Sequence, residues 1–196
     1  VTDNASNNIT SFKRIALLAL NGKVLCMYSY LDSKDKIRYS LGSGSTTVAL
    51  NETKYNLYEA YTSLYVASMC NYNNGIYVHY SGVTGSPSAN KNHLIKYTVE
   101  TNGDITETVI QEDFHTTNAV TESYMYEAGD GNLYLLNPGV GLYKITSSGI
   151  SAVAGEPSNT GSYSWVGITS ITNTVSGSKE YLVLAESDSS NHKLHF

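Results

Sequence analysis

The chain has 196 residues and carries 12 Lys+Arg against 17 Asp+Glu, a formal net charge of −5 at pH 7. Only 15% of residues are charged, and polarity comes mainly from 25 Ser, 19 Thr and 18 Asn. An acidic chain with two arginines, Arg14 and Arg38, lacks the basic surface that nucleic-acid binding requires. The longest apolar run, Ile15 to Leu20, is too short for a transmembrane segment. The length suits one domain with a sizeable core.

Short runs of β-branched and aromatic residues alternate with clusters of Gly, Asn, Asp and Ser, which is the pattern of an all-β protein. The pattern predicts strands over Arg14–Leu20, Lys23–Tyr30, Lys36–Leu41, Thr46–Leu50, Leu64–Cys70, Ile76–Tyr80, Leu94–Val99, Asn132–Leu136 and Tyr181–Ala185. Four dipeptides suit the positive φ angles of tight hairpins: Asn21-Gly22, Asn74-Gly75, Asn102-Gly103 and Asp130-Gly131.

These strands recur as a unit. A Thr-Ser or Thr-x-Ser sequence opens a predicted strand about every 50 residues, at Thr10, Thr62, Thr121 and Thr169. A Gly turn and two further strands follow, and the first three units add a fourth strand over Thr46–Leu50, Thr106–Ile110 and Ile150–Ala154. Four antiparallel strands in this length make one blade of a β-propeller. The sequence therefore predicts a single all-β domain over 1–196, a β-propeller or partial propeller of about four blades, with a β-sandwich as the alternative.

The third unit resembles a known kind of repeat. It contains Asp130-Gly131-Asn132-Leu133-Tyr134-Leu135, followed by Gly139-Val140-Gly141-Leu142-Tyr143-Lys144-Ile145. Both segments are similar to repeats of bacterial extracytoplasmic propellers, in which a DGxLW strand precedes a GGLYR strand. The resemblance implies a propeller fold and indicates no particular activity.

The fourth unit is incomplete, because the chain ends at 192–196, where its third strand is expected. Two explanations remain open. Residues 4–10 could supply the missing outer strand and close a four-bladed ring, or the chain could be a fragment of a larger propeller, which we favour. Because residue 1 is Val, we expect that an N-terminal segment has been removed. With the low charge and Ser/Thr/Asn/Tyr-rich composition, this predicts an extracytoplasmic protein, either secreted, periplasmic or surface-anchored.

The candidate binding residues lie in the loops that lead into the predicted innermost strands, 54–62, 112–120 and 156–166. Aromatic side chains with polar tips suit the faces of sugars or peptides. The predicted binding residues are Tyr58, Tyr61, Phe114, His115, Tyr163 and Trp165. The alternative is that these rings cover the ends of the blades as part of the core. The recurring Ser11, Ser63, Ser123 and Ser170 are expected to satisfy local backbone groups.

No catalytic or metal-binding motif is present in the sequence. The five histidines lack the spacing of a metal site, and no cofactor is predicted. Cys26 and Cys70 are expected to be free thiols, with a single disulfide as the alternative. The densest ionisable cluster is Glu112-Asp113-x-His115, most simply a solvated loop.

The leading functional hypothesis is a non-catalytic binding module that presents aromatic loops to a glycan or protein partner. The main competitor is a glycosidase or lyase, which needs two acids on one face. Its candidate acids are Glu59, Glu112, Asp113 and Glu156. A structural scaffold is the third hypothesis.

Overall fold

The structure, a computed structural model, describes residues 12–32, 34–42, 51–52, 61–85, 87–116, 118–138, 140–154, 164–173, 179–187 and 190–196. Every regular element in these ranges is a β-strand, and the strands form four antiparallel sheets. This confirms the predicted all-β class and the division into four blade-like sheets. The described residues contain no helix that is long and apolar enough to cross a membrane.

The chain divides into two compact units, residues 1–121 (unit 1) and 122–196 (unit 2). Unit 1 holds two sheets in which each strand pairs with the next along the chain. Sheet 1 contains β1 (Phe12–Leu20), β2 (Lys23–Asp32), β3 (Lys34–Gly42) and β4 (Asn51–Glu52). Sheet 2 contains β5 (Tyr61–Tyr72), β6 (Gly75–Thr84), β7 (Asn90–Val99) and β8 (Ile105–Gln111).

Unit 2 repeats the same sequential pairing. Sheet 3 contains β9 (Tyr124–Glu127), β10 (Leu133–Asn137), β11 (Gly141–Thr146) and β12 (Gly149–Ala152). Sheet 4 contains β13 (Ser164–Asn173), β14 (Lys179–Ser187) and β15 (His192–His195), so the described part of the fourth repeat has three strands, as predicted. The segments 4–10 and 46–50 lie outside the described residues, so ring closure by the first of them stays a prediction.

Two local details differ from the sequence-based expectations. The hairpin between β5 and β6 turns at Asn73 and Asn74, whose φ angles are 43° and 57°, and Gly75 already belongs to β6. Asparagine tolerates this left-handed backbone better than most residues, so the glycine is not needed in the turn itself. In sheet 4, β13 begins at Ser164, and Thr169 therefore lies within the strand instead of opening it.

The core of unit 1 lies between its two sheets. Alternate residues of sheet 1, such as Leu25 and Met27, pack against alternate residues of sheet 2, such as Ile76 and Ile95, and all four are fully buried. The alternation follows from the period of two in a strand, which directs one set of side chains to the same face. A second core in unit 2 includes Trp165 and other apolar residues of both its sheets: Ala128, Tyr134, Leu136, Leu142 and Leu184.

A buried carboxylate joins the two sheets of unit 1. The Asp35 side chain of β3 is 1% exposed, and its Oδ2 accepts a hydrogen bond of 3.0 Å from the backbone N–H of Val66 in β5. Its Oδ1 lies 2.8 Å from Lys13 Nζ. Beside this contact, Arg14 Nε donates to the carbonyl oxygen of Ala67 at 3.1 Å. These bonds occur at an irregularity of β5 between Val66 and Ser68, where backbone groups leave the regular ladder and need other partners.

Cys26 and Cys70 are both half-buried thiols, and no disulfide joins them. Burial raises the pKa of the Cys26 thiol, which keeps it protonated at neutral pH.

Replacing Asp35 by alanine leaves the Val66 N–H without its acceptor and Lys13 without its counter-ion. We expect Asp35→Ala to lower the free energy of unfolding by about 3 kcal/mol. Asp35→Asn retains an oxygen acceptor and is expected to cost less. The exposed Asp104→Ala is the control, with a loss below about 0.5 kcal/mol. Urea unfolding of the three variants checks the prediction, which is wrong if Asp35→Ala and Asp104→Ala are equally stable.

Candidate functional site

A fully buried asparagine organises one end of sheet 2 in unit 1. Asn92 Oδ1 accepts a hydrogen bond of 2.9 Å from His79 Nε2. The Asn92 amide nitrogen donates to the carbonyl oxygens of His115 at 2.8 Å and Asn118 at 3.0 Å. Since an amide oxygen only accepts, the His79 proton lies on Nε2. One side chain thus joins β6 and β7 to the segment after β8.

That segment, residues 112–120, is held against the sheet by further bonds. The Phe114 N–H donates to the Asn92 carbonyl oxygen at 3.2 Å, and the Val120 N–H donates to Ser81 Oγ at 2.8 Å. The Phe114 ring lies 5.3 Å from the His79 ring, centroid to centroid. Asp113 has a φ of 50°, which reverses the chain and permits this return. The loop around residues 112–115, which the sequence predicts to be solvated, therefore packs against sheet 2.

A second histidine, His93, joins Tyr61, another of the predicted binding residues, to this segment. The Tyr61 hydroxyl and His93 Nε2 form a hydrogen bond, and the two rings pack edge to face with centroids 6.1 Å apart. Asp113 Oδ1 lies 3.7 Å from the same nitrogen, and Asp113 also forms an ion pair with Lys91. His93 Nδ1 is buried and forms no hydrogen bond with any described residue.

Burial keeps the histidines of this group neutral. It lowers the pKa of His79 to about 4, with the Asn92 hydrogen bond opposing and the nearby His115 and His93 adding to the decrease. Burial also lowers the pKa of His93, although the negative charges of Asp113 and Glu112 act in the opposite direction. Burial lowers the pKa of His115 as well. No group of three or more His, Cys, Asp or Glu residues suited to a metal ion occurs in the described ranges. His79 and His93 form hydrogen bonds within this part of the fold.

The structure brings together three of the six predicted binding residues. Tyr61, Phe114 and His115 all belong to this buried network, with Tyr61 4% and His115 8% exposed. Trp165 lies in unit 2 and is 3% exposed, while Tyr58 and Tyr163 lie outside the described residues. The four described residues expose little side-chain surface, and their binding role stays a prediction. Of the predicted acids, Glu59 and Glu156 also lie outside the described ranges.

Unit 2 contains a cavity of about 550 Å³ between its two sheets. Its wall is formed by apolar residues of the core and by a polar corner that contains Asp130, Tyr134 and Glu180. The cavity-lining residues are Ala128, Asp130, Tyr134, Leu142, Glu180, Tyr181, Leu182, Leu184, His195 and Phe196. A pocket of this size and mixed lining has the character of a small-molecule site.

The two carboxylates of the polar corner are held ionised. Glu180 accepts hydrogen bonds from the Ser170 hydroxyl and from the Gly129 N–H at 2.8 Å, which lower its pKa. Burial disfavours ionisation of Asp130, but hydrogen bonds from Asn132 and Tyr134 outweigh it and lower that pKa as well. Burial, followed by the Asp130 contact, raises the pKa of Tyr134 to about 12. The corner therefore presents two negative charges and a protonated phenol at neutral pH.

A buried carboxylate holds His195, one of the residues that line the cavity. Glu186 is fully buried, and its Oε2 lies 3.0 Å from His195 Nε2. The His195 ring packs edge to face on Trp165, with centroids 5.3 Å apart. The one tryptophan of the chain thus supports a cavity-lining side chain.

Sequence reasoning missed the cavity because its polar residues are far apart along the chain. Gly129 and Glu180 are separated by 51 positions and meet only when sheets 3 and 4 pack. In the sequence, Asp130 marks only a hairpin turn. The signal that was present is the Asp130-x-x-x-Tyr134 spacing, which brings the tyrosine hydroxyl within 2.9 Å of the carboxylate on one hairpin.

No family model and no curated protein matches the chain. Among solved structures, it is similar to a native arabinanase, Arb43A of Bacillus subtilis. The two are 13% identical, the match covers 92% of this chain and 74% of that chain, and the TM-score is 0.44.

The buried histidines predict acid sensitivity. Because the pKa of His79 is lower in the folded than in the unfolded chain, the unfolded chain binds more protons between pH 6.5 and about 4. The stability present above pH 6.5 is therefore lost as the pH falls through this window. For His79 the loss amounts to about 3 kcal/mol.

We expect His79→Gln, whose amide can still donate to Asn92, to flatten the pH dependence of the free energy of unfolding over this window. Urea unfolding at several pH values measures the slope. His192→Gln, at an exposed position, should keep the slope of the parent protein. An unchanged slope in His79→Gln would contradict the assignment of the acid sensitivity to this residue.

Proposed function

We propose that the chain is a non-catalytic binding module for a glycan and that the cavity of unit 2 holds the ligand. The observation that carries the proposal is the lining of this cavity, in which two ionised carboxylates stand beside aromatic rings. Carboxylates accept hydrogen bonds from sugar hydroxyls, and aromatic rings cover the apolar faces of sugar rings.

The exposure of the aromatic residues supports this assignment. Tyr181 is 38% exposed and Phe196 is 72% exposed, and both line the cavity. By contrast, the aromatic residues predicted from the sequence and described in unit 1 are buried or half-buried. A ligand that enters unit 2 therefore meets two accessible aromatic side chains without rearrangement of the core.

The charge state of the carboxylates favours binding over cleavage. Glycoside hydrolysis by two carboxyl groups requires one of them to be protonated as the general acid, usually through a raised pKa. The pKa values of Asp130 and Glu180 are both lowered, so both groups are acceptors at neutral pH. A glycan-cleaving enzyme remains the alternative, with a protein ligand or a purely structural role as further alternatives. The proposal includes an extracytoplasmic location, in keeping with the composition.

Tyr181 supplies the test. We expect Tyr181→Ala to weaken binding of a neutral oligosaccharide about tenfold, because the ring face is lost. Tyr181→Phe keeps the ring and should retain most of the affinity. Titration calorimetry with oligosaccharides selected on a glycan array measures both variants against the parent protein.

Two results would overturn the proposal. If the parent protein binds no glycan, the proposed function is wrong. If the parent protein, Tyr181→Ala and Tyr181→Phe bind with equal affinity, the cavity is not the binding site. Incubation of the selected oligosaccharide with the parent protein, followed by measurement of new reducing ends, separates binding from cleavage. Release of reducing ends that is lost in Glu180→Gln would establish the enzyme alternative.

A further inference from the structure

We propose that the ligand of the unit 2 cavity carries a protonated amine and belongs to the amino sugars. This inference rests on the proposed function and specifies the chemical class of the glycan. It follows from the charges of the cavity wall, from the Lys144 ammonium that pairs with the wall residue Asp130, and from the exposed Phe196 at the cavity.

The cavity carries an excess of negative charge. Asp130 and Glu180 line it, and neither Lys nor Arg is present among the described residues of its wall. Among the described wall residues, the one basic side chain is His195, which is paired with the buried Glu186. The wall therefore favours a cationic ligand and disfavours an acidic sugar such as a uronate.

The protein satisfies one of these two carboxylates with its own ammonium group. Lys144 Nζ lies 3.9 Å from Asp130 Oδ2 and 6.0 Å from the centroid of the Tyr134 ring. This arrangement combines a charge pair with a cation–π contact. It shows that the corner accommodates a primary ammonium between a carboxylate and a tyrosine ring.

The second carboxylate, Glu180, has no ammonium partner among the described residues. Glu180 accepts hydrogen bonds from Ser170 and Gly129, which hold its orientation and its charge, but it forms no ion pair with any described residue. The exposed Phe196 also lines the cavity. A ligand ammonium at Glu180 would make the charge pair that Lys144 makes at Asp130.

Three pairs of monosaccharides test the inference: glucosamine and glucose, galactosamine and galactose, mannosamine and mannose. Each pair differs only in an amine or a hydroxyl at C2. At a pH below the pKa of the amine, we expect the amino sugar of at least one pair to bind about three- to fivefold more tightly, since the site is exposed to solvent. NMR titration measures these weak affinities, and added salt should reduce the preference.

Glu180→Gln keeps an oxygen that can accept the bonds from Gly129 and Ser170 but removes the charge, so the preference should disappear while neutral sugars still bind. Glu127→Gln is the matched control, because it changes the net charge equally at an exposed position outside the cavity wall. The preference should persist in that variant.

The outcomes separate the two proposals. If neutral oligosaccharides bind at the cavity and no pair shows a preference, the amine inference is wrong and the glycan-binding function stands. If the preference survives in Glu180→Gln, the amine is bound elsewhere and the inference is also wrong. If no sugar of any kind binds, the proposed function fails, and this inference fails with it.

Discussion

The burial of both faces of a strand is the constraint on which the structure of unit 1 depends. In β6, every residue from Gly75 to Gly82 is buried, although only one face of the strand contributes to the apolar core between sheets 1 and 2. The other face carries polar groups, including His79 and Ser81, which must be satisfied within the protein. Asn92 and the segment after β8 supply their partners. The polar network is thus a consequence of burying a strand that is not wholly apolar.

The buried histidines of unit 1 and the carboxylates at the unit 2 cavity lie in different environments. In unit 1, the side chains of His79 and His93 are removed from water, and burial lowers their pKa values. In unit 2, hydrogen bonds and a nearby lysine keep the carboxylates of Asp130 and Glu180 charged at the edge of a cavity. A neutral buried group stabilises a fold, whereas an accessible charged group can bind a ligand. This difference is the reason why we propose a ligand site in unit 2.

Local sequence signals predicted the strands well because hairpins depend on neighbouring residues. Asn21-Gly22 forms the expected turn with positive φ at both positions, and β1 and β2 pair directly across it. The predicted Leu64–Cys70 strand lies within β5, which is longer because Tyr61–Ser63 also pair with β6. The turn at Asn73 and Asn74 lies one residue before the predicted Asn74-Gly75 turn, because asparagine and glycine both tolerate the left-handed region.

The sequence by itself determined the class of the protein, its repeat of about four antiparallel strands and the position of most hairpins, because these follow from alternation and turn chemistry within short segments. Only the tertiary structure decided which side chains are accessible. Tyr61 and His115 are residue types that suit a binding loop, yet packing against His93 and Asn92 buries them. Glu180 has no local motif, and it becomes a charged cavity residue through Gly129 on another sheet. Contacts between distant segments arise from the packing of sheets, and no short-range pattern encodes them.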